Sequence, residues 1–292
     1  MTLFKNIVVI RDGALGDVIC LEPILSYLLK KDKRVILVSR FASIYKAKPS
    51  LKLVSQATRF QKAIWRILDF FSNGKYVLNL NNSYEQHPLS PLIMGYEIEA
   101  NIRLDSKTVN PESFNRSSNQ YFENPDKIIL FHIQSPSQKI SYRSVHGVDF
   151  KALANKLNEA GYSCVEIIQK SRDIKPILDD YISHDLMNLF GIISEAKYFV
   201  GLDSGPAHVA HIFGKKSFLF FGSVNPALRL NLSQLDGFIF QNSCPNAGCY
   251  HQTIGTTGTP CIFETESITP PCCTFETEKI FSTILQHLNK HI

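Results

Sequence analysis

The chain of 292 residues is too long for one small domain and comfortable for two of about 125–150 residues each. With 44% hydrophobic and 20% charged residues it is neither disordered nor of low complexity. The net charge of +5 is uneven: residues 1–125 carry 17 Lys/Arg and 11 Asp/Glu (+6), residues 126–292 carry 14 and 15 (−1). The basic half is either a solvated face or the side that meets an anionic partner such as a phosphorylated glycan, the inner membrane surface or nucleic acid. No apolar run reaches the ~18–20 residues of a membrane span, and the start, MTLFKNIVVIRDGALGD, has too short an apolar stretch for a signal peptide. A cytoplasmic protein is the expectation.

In chain order, KNIVVIR (5–11) is a short β-branched run of the kind buried in parallel sheets. The turn DGALGD follows, then VICLEPILSYLLKK, apolar at helical spacing and expected as one helix, then the strand RVILVSR. KAIWRILDFFS predicts a helix and YVLNLN a strand, while residues 81–124, rich in Asn, Ser and Pro, predict loops and short helices ending in a linker at Asn124–Pro125. The pattern then restarts with strand KIILFHI, helix DFKALANKLNEAG stopped at Gly161, strand SCVEIIQ, helix DLMNLFGIISEA and strand YFVGLD. Helix GPAHVAHIFG, closed by Gly214, and strand KSFLFFG complete it, and a final helix, TEKIFSTILQHLNKH, is expected to pack back across the domains. Two runs of alternating strands and helices predict two doubly wound α/β domains, 1–125 and 126–292, with ligands at the carboxyl ends of the strands.

Two turns stand at such ends. In Asp12-Gly13-Ala14-Leu15-Gly16-Asp17, Gly13 and Gly16 permit a tight turn and a close ligand, in a spacing unlike that of dinucleotide sites. Asp17, in the first helical turn, is either a cap for the helix amides or a general base; Glu22, further on, is expected at the surface. The second turn, Gly201-Leu202-Asp203-Ser204-Gly205-Pro206-Ala207-His208, offers unpaired amides to phosphate oxygens, with Pro206 suited to the helix start. Asp203 and His208 taken singly are more often structural.

Together the segments IRDGALGDVICLEPIL and FVGLDSGPAHVAHIFGKKSFLFFGSVNP resemble glycosyltransferase family nine, the ADP-heptose heptosyltransferases, with Gly222–Pro226 matching that family's G-x-x-x-P loop. The resemblance implies a GT-B fold, two Rossmann-like doubly wound domains facing a central cleft. It implies inverting transfer of a heptose or related sugar with no cofactor or divalent metal for the chemistry. By position Asp17 resembles the catalytic carboxylate, beside Gly13 and Gly16 in an acceptor domain. Asp203, Ser204, Gly205, Pro206 and His208 resemble the nucleotide-sugar turn, with an ADP-sugar favoured as donor. Arg143, seven residues before Phe150, stands where the family has a Lys, and Ser135 is a further phosphate donor. An acidic residue for the ribose is not clear; Glu166 and Gln169 are nearby. Residues 81–124 do not resemble the acceptor loops of the lipopolysaccharide enzymes, so the acceptor, a surface glycan or a protein, stays open. A non-catalytic nucleotide-sugar or glycan-binding protein and a transferase acting on modified DNA bases stay open as alternatives.

Five of the seven cysteines, Cys244, Cys249, Cys261, Cys272 and Cys273, lie within 30 residues near the carboxyl end, with His251 among them. Their intervals are not those of a zinc ribbon. A structural zinc or iron on Cys244, Cys249, Cys261 and Cys272 is weighed against disulfides and unlinked thiols. Some family members hold a structural iron on cysteines. Cys20 and Cys164, isolated, are expected as buried thiols.

Overall fold

The computed structural model describes residues 5–135, 141–170, 174–245, 248–251, 261, 263 and 269–289. The chain divides into two compact units, Met1–Asn115 and Arg116–Ile292. The division falls before the expected Asn124–Pro125 linker because residues 117–122 are fastened to the second unit. The Tyr121 and Phe122 amides donate to Glu195 at 2.8 and 2.9 Å, and Ser117 lies against Gly191.

Unit 1 holds β1 (Asn6–Ile10), α1 (Leu15–Ile19), α2 (Glu22–Lys30), β2 (Arg34–Val38), β3 (Leu51–Val54), α3 (Arg59–Phe71), β4 (Val77–Asn79), α4 (Ser83–Gln86) and α5 (Leu92–Ala100). Its four-stranded sheet is parallel, in the order β3-β2-β1-β4. The single helix expected after β1 is two. Pro23 in the first turn of α2 has no N–H to give to Ile19, so the chain breaks at Cys20–Leu21 and restarts. Glu22, expected at the surface, is 2% exposed and accepts from the Asn110 amide at 2.9 Å and the Ser113 hydroxyl at 2.8 Å, tying down the segment after α5. Trp65 of α3 seats that helix on Val8, Val38, Ala57 and Tyr76.

Unit 2 holds β5 (Ile128–His132), α6 (Phe150–Glu159), β6 (Ser163–Gln169), β7 (Tyr181–His184), α7 (Leu186–Glu195), β8 (Tyr198–Leu202), α8 (Gly205–Ile212), β9 (Lys216–Phe220), β10 (Gly237–Phe240) and α9 (Thr277–Asn289). The six-stranded sheet, again parallel, runs β10-β9-β8-β5-β6-β7. Asp149 and Asp185 cap α6 and α7 by accepting from the Ala152 and Asn188 amides. Gly161 and Gly214 carry the positive φ of +89° and +61° that ends α6 and α8. The final helix closes its own unit: Ile280, Ile284 and Leu288 of α9 join Leu153 and Leu157 of α6 in one core with Phe131, Phe218 and Phe220. Lys290 and His291, at the end of the helix expected there, lie outside the described residues.

Candidate functional site

In each sheet the strand order reverses beside the first strand of the unit, between β1 and β4 and between β5 and β8. Crevices at such reversals, at the carboxyl ends of the strands, are where open α/β sheets bind ligands. Both sequence turns lie there.

In unit 1 the turn after β1 is built around Arg11, 4% exposed. Its guanidinium pairs with Asp17 Oδ2 at 3.0 Å, donates to the Leu80 carbonyl at 3.1 Å, the Asn81 carbonyl and the Tyr96 hydroxyl (3.0 Å), and lies over the Tyr96 ring. Burial by itself would lower the Arg11 pKa, but Tyr96 and Asp17 outweigh it and hold the group above its ordinary value. Tyr96, buried beside Asp17, is raised well above the usual phenol range and so donates as a neutral hydroxyl, to the Asp17 carbonyl at 3.0 Å. Asp17 also accepts from the Ala14 amide at 2.8 Å, so it does cap α1. Both contacts use Oδ2; among the described residues Oδ1 is uncommitted, and the side chain is 21% exposed. A Cβ on Gly13 would run into the Asp17 carboxylate and press on Arg11, which is why glycine stands there. Gly16 is buried inside α1. Beside the turn, a cleft of about 410 Å³ opens between α3 and the end of β4, lined by Trp65, Asn79, Asn81, Lys62 and Arg66.

In unit 2 the structure gathers Arg143, Asp203, Ser204, Gly205 and Ser223 around the ends of β5, β8 and β9. The short 3₁₀ turn Ser141–Arg143 is held there by the Ser223 amide, which donates to the Tyr142 carbonyl at 3.0 Å. Gly222 is needed for this approach, since a Cβ would collide with that carbonyl. Arg143 pairs with Asp203 at 2.8 Å and lies over the Tyr250 ring, 4.9 Å from its centre. Asp203 is thus engaged in orienting Arg143. Ser204 Oγ is 3.0 Å from His132 Nδ1 and donates to the Leu202 carbonyl, so it does not cap α8. The first amides of α8 therefore meet no side-chain cap among the described residues. Arg143 Nε and Ser223 Oγ are buried without a partner there, a condition native proteins rarely leave unless a ligand or water completes it. Pro206 takes the start of α8 and His208 is buried within it, 8% exposed. Ser135 follows β5, half-buried and partnered. Glu166 is fully buried and occupied by Gln134, Ile177 and Leu178, while Gln169 is exposed at the end of β6.

Arg11, Tyr96, His132, Ser223 and Tyr250 were not singled out by the sequence. Arg11 gave the one available signal, a charged residue closing an otherwise apolar strand.

Near the carboxyl end, burial and the neighbouring Cys272, Cys261 and Cys244 raise the Cys249 pKa, so four thiols share one locality. The Cys273 thiol lies in hydrogen-bond contact with Cys272, whose pKa this lowers, and also faces the Pro270 carbonyl, with its Cβ towards Gly222. Among the described residues no group of three or more His, Cys, Asp or Glu is arranged to hold a metal ion. The His251 side chain lies outside the description.

No protein-family model matches the sequence, and no curated protein matches it either. Solved structures do. A family 9 glycosyl transferase from Veillonella parvula matches over 99% of this chain and 98% of its own, at 16% identity and a TM-score of 0.60. The iron-containing dodecameric glycosyltransferase TibC from enterotoxigenic E. coli matches over 98% and 76%, at 13% identity and 0.71. The E. coli ADP-heptose lipopolysaccharide heptosyltransferase II matches over 98% and 99%, at 12% and 0.57. The chain has the α/β fold of these GT-B glycosyltransferases. Among the described residues no helix is long and apolar enough to cross a membrane.

Proposed function

We propose that the protein is an inverting glycosyltransferase that binds a nucleotide diphosphate sugar in unit 2 and uses Asp17 to deprotonate an acceptor hydroxyl. The observation that supports it is the polar cluster at the ends of β5, β8 and β9, where the start of α8 has no side-chain cap and Arg143 is held close by through its pair with Asp203. A diphosphate is the kind of acceptor that a helix amide end beside a guanidinium suits. In the reaction the acceptor oxygen attacks the anomeric carbon, its proton passes to Asp17, and the sugar–phosphate bond breaks with its electron pair going to the diphosphate. Arg143 and the α8 amides meet that charge, so no divalent metal is required. ADP-heptose is the first donor to test: TibC has been solved with ADP-D-beta-D-heptose and WaaC with an ADP-fluoroheptose. The acceptor class is a hydroxyl of a bacterial surface glycan or a protein.

Calorimetric titration with ADP-heptose and ADP checks the donor half. Arg143→Ala removes a charge-assisted contact and is expected to weaken ADP by roughly 10–150-fold. Wild-type affinity in that variant, or a crystal with nucleotide only at the Gly13–Gly16 turn, refutes the placement.

The thiols Cys244, Cys249, Cys261 and Cys272 fit a structural zinc or iron by donor chemistry, since thiolates select those metals. The ion would pin a segment between β10 and α9 and take no part in transfer. Elemental analysis of protein purified without chelator is expected to give about one equivalent per chain. Absence of zinc and iron, with these thiols titrating freely, removes the metal and leaves the transferase reading intact.

A further inference from the structure

Most helices of the molecule bury an apolar stripe, but α3 turns one outward. Phe60, Ile64, Ile67 and Phe71 are spaced i, i+4, i+7, i+11, one line along a helix about 20 Å long, and Phe70 widens it. Their exposures are 74%, 38%, 57% and 72%, with Phe70 at 78%. The inward side is served by Trp65 and Leu68 alone. Bordering the stripe on the outer face are Arg59, Lys62 and Arg66, none ion-paired among the described residues. The only acid of the helix, Asp69, is turned inward, accepting from the Tyr76 and Val77 amides at 3.0 and 2.8 Å. Thr58 and Gln61 close a reciprocal capping box, so the helix is formed without a partner.

We infer that α3 is an interfacial helix by which unit 1 lies on an anionic lipid surface. An apolar face edged by cations is the composition of helices that rest in the headgroup layer. Charge selects this occupant. Lipid headgroups neutralise Arg59, Lys62 and Arg66, whereas two copies meeting through the same face would bring six such cations together. The +6 charge of residues 1–125 acts in the same direction. Lys62 and Arg66 also line the cleft beside Asn81, so a membrane-bound α3 holds that cleft at headgroup level.

Co-sedimentation of the full chain with phosphatidylcholine vesicles, with and without phosphatidylglycerol, tests this. The protein is expected on the anionic vesicles, less at high salt. Phe60→Ser/Phe70→Ser/Phe71→Ser is expected to lower partitioning by roughly tenfold or more, with ADP binding unchanged as the check on folding. Arg59→Gln/Lys62→Gln/Arg66→Gln is expected to lose about fivefold per charge on anionic vesicles only. Equal partitioning of wild type and the Phe variant overturns the inference. So does a soluble oligomer, without vesicle binding, that the Phe variant dissolves; that result gives the face to a second copy. Neither outcome touches the donor site of unit 2, so the transferase reading stands or falls separately.

Discussion

Asp17→Asn separates the structural part of this carboxylate, the cap of α1 and the pair with Arg11, from the role of base proposed for it. Asn keeps an oxygen for the Ala14 amide, so the cap of α1 survives. What is lost is the charge opposite Arg11 and the ability to take a proton. Breaking a fully buried ion pair costs ~3–5 kcal/mol. Here Arg11 keeps Leu80, Asn81 and Tyr96, and the Asp17 side chain is 21% exposed. A cost of about 1.5–3 kcal/mol, that of one charged hydrogen bond, is the better figure. The fold should survive it. Turnover should fall by ~10²–10⁴-fold, the usual contribution of a positioned base. The assay is ADP release from ADP-heptose in the presence of acceptor, beside calorimetric ADP binding and a urea titration. Loss of turnover with donor affinity kept and the fold intact supports the base. Near-normal turnover with the same stability loss would show that Asp17 is only a cap and a partner for Arg11.

Two further predictions concern stability and thiol chemistry. Burial lowers the pKa of His184 and of His211 below the ordinary 6.5; for His184 the Asp185 carbonyl and carboxylate offset part of the effect, and Lys170 adds to it. The unfolded chain therefore binds more protons below 6.5, so stability is fully present above that pH and is lost as pH falls toward the folded values. Urea midpoints measured across this range should drop for wild type and flatten in His184→Gln/His211→Gln; identical slopes would refute the assignment. Burial, with Asp180 nearby, pushes the Cys164 thiol up to about 12, so it should resist alkylation in the native protein and react only on unfolding; rapid native labelling at Cys164 by mass spectrometry would contradict this.

The sequence is most informative for strands in the middle of a sheet and least for those at its edges. The central strands β1, β2, β5, β6, β8 and β9 are apolar runs, and their spans follow from composition alone. Of the four edge strands only β4 is expected from the sequence; β3, β7 and β10 are not, although β10 is the short apolar run Gly237–Phe240. At an edge, pairing on one side relaxes the demand for continuous apolar residues, as Tyr181-Ile182-Ser183-His184 illustrates. Pro23 did carry the break between α1 and α2, but the helical spacing on either side masked it. Glu22 shows a deeper limit: its partners, Asn110 and Ser113, come from the far end of the unit, so no local pattern marks it as buried. The same holds for Arg11 and Tyr96, which meet only through tertiary packing.

The two turns look alike in sequence, each a glycine-bearing link from a strand to a helix, yet the structure gives their helix ends opposite electrostatics. At α1 the amide end is already answered by Asp17, which accepts from Ala14 and is itself neutralised by Arg11. A phosphate there would meet a fixed carboxylate. At α8 the cap position is held by Ser204, whose hydroxyl is spent on Leu202 and His132, and the adjoining carboxylate, Asp203, is paired with Arg143. The amide end is left open and a cation stands beside it, which favours an anion. On the proposed reading, the carboxylate in one turn and its absence from the cap of the other divide the labour: unit 1 would supply an acceptor for a proton, and unit 2 donors for a diphosphate. Transferring an Asp to the α8 cap by Ser204→Asp should therefore weaken ADP while leaving unit 1 unchanged, because it would rebuild at the second turn the self-answered helix end of the first.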